Sequence, residues 1–418
     1  MNVAVTCETR FLRTPDGSVW TSGINAYEFW TRYLAVFDEV KPVARVLDTA
    51  TAPPDYKRAD GPGVHFAPVP NYLGPWQYAA SAPAVRRAVR RSVAECEAVI
   101  MRVSSHLAGC LEGRLTKEGR PFGLEVVNDP YDVFAPRAVR YRLRPVFRWW
   151  FTRQLRRQCR AAAGVAYVTE KALQTRYPNA GYSVGMSDVE ITRENIVPTP
   201  AVFTTHYSSV ELDTREDFGA VRSSCRQTRS FRLVTVASLT QMYKAPDVLI
   251  HAVGRAIHAG LDITLRIVGD GKHRSELERL AESLGLTNRV HFIGQLPAGA
   301  AVRDELDRAD LFVLPSHCEG LPRAMVEAMA RGLPCIGTAV GGIPELLHSD
   351  DLVPAGDVGS LERKICEVLS SPARMSAMSA RNLGRAQDYR DDILAARRKA
   401  FFTHVRTTTE AWLARKGS

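Results

Sequence analysis

Short apolar, β-branched runs alternate with longer helical stretches along this chain, and the alternation occurs twice. In the first half, residues 3–6, 44–47, 64–68, 98–102, 123–127 and 164–169 read as buried strands, with helices over 25–37, 81–96, 106–118 and 144–161. In the second half, residues 232–237, 264–268, 289–293, 311–315 and 334–337 repeat the pattern. Alternation of this kind builds a parallel sheet covered on both faces by helices. Between the two series, residues 171–228 lose the rhythm and carry Pro178, Pro198 and Pro200 among many Ser and Thr. That is the composition of irregular structure leading into a linker. The fold class expected is α/β, with two doubly wound Rossmann-like domains facing each other across a cleft. The expected domains are 1–225, 226–385, and a charged helical segment over 386–418 that crosses back to the first.

Other features bound the compartment and the partners. At 418 residues the chain is too long for one core, which favours two domains. The start, Met1 to Glu8, has no basic region and too short an apolar run for a signal peptide. No stretch approaches the ~20 apolar residues that span a bilayer. Eight scattered cysteines without a C-x-x-C pair read as free thiols in a reducing cytoplasm, and no His/Cys cluster has metal spacing. The net charge of +10 calls for an anionic partner. It is uneven: residues 1–200 carry 27 basic and 19 acidic side chains, and the remainder 28 and 26.

The segment 311–334 carries the chemistry. A buried strand ends at Pro315, a loop follows, Pro322 suits the first turn of a helix, and Gly332 and Pro334 end that helix. Glu319 then lies just before the helix and Glu327 on its second turn. Eight residues at ~1.5 Å each separate them by roughly 12 Å along the axis. Glycosidase carboxylates sit about 5–9.5 Å apart around one bond, so this pair suits the two ends of one elongated ligand. Between them, the N–H groups of Gly320, Leu321, Pro322's neighbours and Arg323 at the helix start make a diphosphate seat. A sugar, a diphosphate and a ribose in that order describe a nucleotide sugar. The alternative is two surface acids at a helix start.

This segment resembles the Glu-x7-Glu signature of the family-4 retaining glycosyltransferases, which have the GT-B fold. The likeness extends through 233–250, which is similar to the family's first strand, basic turn and first helix. It continues through the glycine turn at Gly269-Asp270-Gly271, the strand ending at Gly294, and Gly341-Gly342-Ile343-Pro344-Glu345. The resemblance implies that Glu319 bonds donor-sugar hydroxyls and Glu327 the ribose. It also implies that Lys244 balances the diphosphate, and that Ser238, Gly269 and Gly294 line the donor site. Where the family carries an Arg in the first turn, this chain has Ser238, and Lys244 comes one residue late; Arg323 is a candidate to supply the missing cation. The reaction implied is transfer of a hexose-type sugar to an acceptor hydroxyl, with a nucleotide-diphosphate sugar as donor substrate, no cofactor, and no D-x-D motif to imply a metal.

In the first half the likeness is looser. Gly23, in Thr21-Ser22-Gly23-Ile24-Asn25, is similar to the family's glycine loop beside the reacting groups. Arg102 and His106 close the strand where many relatives have a His, and His106 reads equally as a helix-start residue. Asp129 either reaches the acceptor or organises the turn before Pro130. The basic surplus concentrates at Arg86, Arg87, Arg90 and Arg91, and in nine arginines over 137–160 interleaved with Phe147, Trp149, Trp150 and Phe151. Such mixtures suit an anionic membrane surface holding a lipid-linked acceptor, with the protein peripheral on its cytoplasmic face. They also suit nucleic acid, or a solvated helix whose aromatics form its core face. A dinucleotide-dependent oxidoreductase would need G-x-G-x-x-G after a first strand, and neither 3–6 nor 232–237 is followed by one.

Overall fold

The computed structural model describes residues 1–23, 25–136, 141–204 and 230–417. The chain divides into two compact units: Met1–Asp188 with Asp392–Ser418, and Val189–Asp391. The boundary expected at 225/226 lies outside the described residues.

In the first unit, strands β1 (Asn2–Arg13), β2 (Val19–Thr21), β3 (Glu39–Asp48), β4 (Lys57–Arg58), β5 (Ala67–Pro70), β6 (Ala98–Val103), β7 (Gly123–Val126), β8 (Gly164–Tyr167) and β9 (Tyr182–Gly185) form one sheet. Its parallel part runs β5-β3-β1-β6-β7-β8-β9. Strand β1, at 12 residues, is three times as long as the run read at residues 3–6. It pairs with β6 only through Thr6, and beyond a bulge at Cys7/Arg10 it continues along β3 to Arg13. There it turns back antiparallel through Gly17, at φ 86°, into β2, which pairs with β4. Phe11, buried against Trp30 and Phe66, anchors this extension.

Two helices differ from expectation. The helix read over 106–118 is broken into His106–Gly109 and Glu112–Lys117; Gly109, a poor helix former, marks the break. The helix read over 81–96 begins earlier, at Gly74, with a proline in its first turn. The stretch 171–204 is less irregular than its composition implied, holding a helix Ala172–Arg176 as well as β9. The helix Asp391–Gly417 contributes Phe401, Phe402 and Val405 to the same core as Val3, Val5 and Ile100, and Phe402 stacks on Tyr33 at 4.6 Å.

In the second unit, β10 (Phe231–Val236), β11 (Ile263–Val268), β12 (Val290–Gly294), β13 (Leu311–Leu314), β14 (Cys335–Thr338) and β15 (Leu352–Val353) are all parallel. Their order is β12-β11-β10-β13-β14-β15, the 3-2-1-4-5-6 order of dinucleotide-binding sheets. All four residues of β13 are buried, as a strand covered on both faces requires. The strand order reverses between β10 and β13, and ligands bind outside the carboxyl ends of strands at such a switch point.

Candidate functional site

The loops that leave β10 and β13 at this switch point carry the candidate donor residues. After β10, Ser238 closes a small turn: its Oγ accepts from Thr240 N at 3.3 Å and donates to Thr240 Oγ1 at 3.0 Å. A short 3-10 turn, Met242–Lys244, then presents Lys244, and Ala245, left-handed at φ 51°, starts the helix Pro246–His258. The Lys244 Nζ donates to Glu319 Oε1 at 2.6 Å. The two loops are also tied through their backbones, with His317 N donating to Tyr243 O at 2.7 Å.

Glu319 is 6% exposed, so its carboxylate needs partners. Besides Lys244, it accepts from Ser316 Oγ at 2.6 Å on the same oxygen. Ser316 is itself fixed, because its carbonyl accepts from Thr338 Oγ1 at 2.6 Å at the end of β14. Both hydrogen bonds therefore fall on Oε1. Neither Ser316 nor Thr338 stood out in the sequence, since a Ser or Thr at a strand end is commonplace.

The helix that follows spans Arg323–Ala330, with Pro322 at its N-cap and Glu327 on its second turn. Its first-turn N–H groups have no intrahelical acceptors and give that end a partial positive charge. Leu321 and Pro322 are buried and Arg323 is exposed. Burial pushes the Glu327 carboxyl above its ordinary range, partly offset by Arg323 and Arg303. Gly320 O accepts from Gly342 N at 2.7 Å, which clamps the loop to the Gly341-Gly342 turn. Gly341, at φ 51°, passes so close that a Cβ there would lie 1.9 Å from Glu319 O.

Two glycines at neighbouring strand ends have backbone conformations that favour glycine. Gly269, at φ 135°, would place a Cβ 2.0 Å from Ala237 O, and its N–H donates to Gly294 O at 2.8 Å. Gly294, at φ 84°, ends β12. Ser238, Lys244, Gly269, Gly294, Glu319 and Gly320–Arg323 thus lie at or just beyond the carboxyl ends of four adjoining strands, with Glu327 further along the helix after β13.

In the first unit the candidates have other commitments. Arg102 is buried between two acids, paired with Glu125 and with Asp188 at 2.9 Å, its guanidinium 4.8 Å from the Phe29 ring centroid. Arg32 also pairs with Asp188, at 3.0 Å, and Tyr33 donates to Glu125 at 2.9 Å. The two guanidiniums hold the Asp188 carboxyl well below its ordinary range despite its burial. Asp129 caps the helix Pro130–Val133, accepting from Tyr131 N at 2.9 Å, and pairs with Arg176 and Tyr177. His106 opens a short helix capped by Ser105 and packs between Tyr78 and Phe151, at 4.8 and 5.2 Å. Burial lowers its pKa, with Arg45 acting the same way and Glu8 against it. Gly23 is exposed, on the turn after β2, with its N–H on Thr21 Oγ1 at 3.1 Å.

Among the described residues no group of three or more His, Cys, Asp or Glu could hold a metal ion. The seven described cysteines are free thiols, and Cys225 lies outside the described residues. No described helix is long and apolar enough to cross a membrane.

A family profile described as "Glycosyl transferases group 1" matches residues 230–371, which hold all the donor candidates. Protein CapJ of Staphylococcus aureus is 23% identical over 405 residues, covering 93% of each chain. The GDP-mannose-dependent monoacylated alpha-(1-6)-phosphatidylinositol monomannoside mannosyltransferase of Corynebacterium glutamicum is 34% identical over 182 residues, 41% of this chain and 46% of that one. Anabaena Alr3699/HepE, solved with UDP-glucose, superposes with a TM-score of 0.61 at 15% identity, over 98% of this chain and 100% of that one.

Proposed function

We propose that this chain, a glycosyltransferase of the GT-B fold related to the group 1 and family-4 sugar transferases, seats its donor at the β10/β13 switch point and works with retention of configuration. It transfers a sugar from a nucleotide-diphosphate sugar to an acceptor. The observation that carries the site is the meeting of Lys244, Glu319 and the start of the helix Arg323–Ala330 on loops tied to one another. Glu319 Oε1 is occupied by Lys244 and Ser316, so Oε2 is the oxygen offered to the sugar hydroxyls. Glu327 takes the ribose hydroxyls, and Gly269 and Gly294 line the nucleoside side.

In the proposed step the bond from the sugar C1 to the diphosphate oxygen breaks and a bond from the acceptor oxygen to C1 forms on the same face. The departing phosphate oxygen takes the acceptor proton. Charge developing on the diphosphate is met by Lys244 and by the helix-start N–H groups, already oriented before reaction, which is where most of the rate enhancement arises. With Ser238 in place of the usual Arg, Arg323, exposed at the start of the helix, is the cation proposed to complement Lys244.

The acceptor is proposed to be lipid-linked, in polysaccharide, glycolipid or related glycoside synthesis, and reached at the cytoplasmic face of an anionic membrane through 86–91 and 137–160. The Corynebacterium relative, named for a phosphatidylinositol mannoside acceptor, supports a lipid acceptor. A thermal-shift panel of nucleotide sugars and free nucleoside diphosphates tests the donor reading. The matching donor is expected to stabilise by roughly 2.7 kcal/mol at a hundredfold excess over its dissociation constant. No shift with any of them would refute it.

A further inference from the structure

We propose that one edge of the first unit is a membrane-insertion surface, where Trp76, Trp149 and Trp150 enter the headgroup region of an anionic bilayer while arginines of the same two helices bind lipid phosphates. This rests on the reading of an acceptor held at such a membrane, and adds which side chains make the contact and by what forces.

The exposed apolar side chains are not scattered. Ten large ones are exposed among the described residues, and eight of these fall in 73–76 and 131–150. Trp76 is 84% exposed, Trp149 61% and Trp150 59%, a poor state for indoles with only water to face. The two stretches are neighbours in space. Rings connect them in sequence: Tyr72 to Tyr78 at 5.1 Å, Tyr78 to His106 at 4.8 Å, His106 to Phe151 at 5.2 Å, and Phe151 to Phe134 at 5.6 Å.

Charge selects the occupant. The helix Gly74–Ala94 carries Arg86, Arg87, Arg90 and Arg91, all exposed, while Val85, Val89 and Val93 face the core. The helix Arg144–Ala161 turns Thr152, Leu155 and Cys159 inward and leaves Trp149, Trp150, Arg153, Arg156 and Arg160 outward. Neither helix contains an acidic residue. An interfacial helix with cations on its polar face and Trp beside them binds by burying apolar area and by attraction to anionic lipid. Duplex nucleic acid would engage the arginines but leaves Leu143, Val146 and the tryptophans without a role.

The test is co-sedimentation of the full chain with vesicles of phosphatidylcholine alone and of phosphatidylcholine with phosphatidylglycerol, at low and high salt. Wild type is expected to bind the anionic vesicles, with a fraction that survives high salt. Substituting Ala for Trp76, Trp149 and Trp150 together is expected to remove that fraction and to weaken partitioning roughly tenfold or more. Substituting Gln for Arg86, Arg87, Arg90 and Arg91 is expected to weaken binding at low salt only. Thermal melts of each variant establish that it folds, and the nucleotide-sugar shift is read on the same preparations. If wild type binds no vesicle, or the Trp variant partitions like wild type at high salt, the insertion surface is refuted while a retained donor shift leaves the transferase reading standing. Vesicle binding without any donor shift does the reverse. Salt-steep binding to generic duplex DNA with no vesicle binding would assign the surface to nucleic acid and overturn the proposal.

Discussion

Lys244 and Glu319 lie 75 residues apart and meet at 2.6 Å where the strand order of the second sheet reverses. The lysine side chain is 17% exposed and the carboxylate 6%, so neither is a surface charge whose partner is optional. Lys244→Ala strands the carboxylate with Ser316 as its remaining donor and is expected to cost about 3 kcal/mol in urea unfolding. In the double variant Lys244→Ala/Glu319→Gln no buried charge remains, so part of that loss returns. The expected coupling is roughly 1–3 kcal/mol; additive single effects would show that the pair does not form.

Gly341 has no polar side chain, yet it decides whether Glu319 can be held in place. Its φ is 51°, and an added Cβ would meet Glu319 O at 1.9 Å. The clash is with backbone, so relief requires moving the loop. Gly341→Ala is expected to abolish protection by nucleotide sugars in a thermal-shift assay. Gly285→Ala serves as control, because its φ is 69° but nothing lies within 4 Å of an added Cβ. It should cost only the backbone penalty of about 1–2 kcal/mol and leave donor protection intact. Equal loss of protection in both would mean that the clash at Gly341 is not what matters.

The two-domain α/β plan was legible because buried parallel strands are short, apolar and evenly spaced by helices. Strand order was not legible, and with it went the reason that Ser238–Lys244 and Pro315–Arg323 converge: only the β10/β13 adjacency brings them together. Glu319 and Glu327 stood out by their spacing along one loop and helix. Ser316, Thr338 and Gly341 did not, since they act through contacts with residues distant in sequence or through space that a side chain would fill. The hairpin added to β1 was hidden for a related reason. Residues 7–13 interpose the polar Glu8, Thr9 and Arg10 before Phe11 and Leu12 and so lack the continuous apolar run that marked the other strands; their pairing lies beyond the end of β6.

Arg102 illustrates a basic residue whose charge is spent inside its own domain. Removing it leaves two buried acids with one cation between them, Asp188 keeping Arg32 and Glu125 only the Tyr33 hydroxyl. Arg102→Met is therefore expected to lower the stability of the first unit by roughly 3–5 kcal/mol and to leave the nucleotide-sugar dissociation constant unchanged. The Asp188 carboxyl is depressed in the folded state. Its contribution is full above the ordinary carboxylate value and is lost as pH falls from there through the folded value. Wild type should thus show an acid-side loss of stability that is smaller in Arg102→Met, where Arg32 alone still depresses Asp188, measured as unfolding midpoint against pH. A stable Arg102→Met protein with weakened acceptor kinetics would instead make Arg102 an acceptor contact.

Glu327 is expected to behave in the opposite sense. Its carboxyl is raised by burial, with Arg323 and Arg303 only partly compensating, so the ionised form is penalised in the folded protein. For an acid raised on folding, the penalty is absent below the ordinary glutamate value and complete above the folded one. Stability falls as pH rises between the two. Glu327→Gln removes that penalty and should leave the protein at least as stable as wild type at neutral pH, with the advantage vanishing in acid. If the carboxylate binds the ribose hydroxyls, the same variant loses a charge-assisted hydrogen bond worth about 1.5–3 kcal/mol. That corresponds to a tenfold or greater rise in the dissociation constant for both the nucleotide sugar and the free nucleoside diphosphate. Isothermal titration beside a pH series of melts reads both effects on one variant. A stabilised protein that binds less is what a ligand-facing buried acid produces. A destabilised protein with unchanged affinity would make Glu327 an ordinary member of its helix.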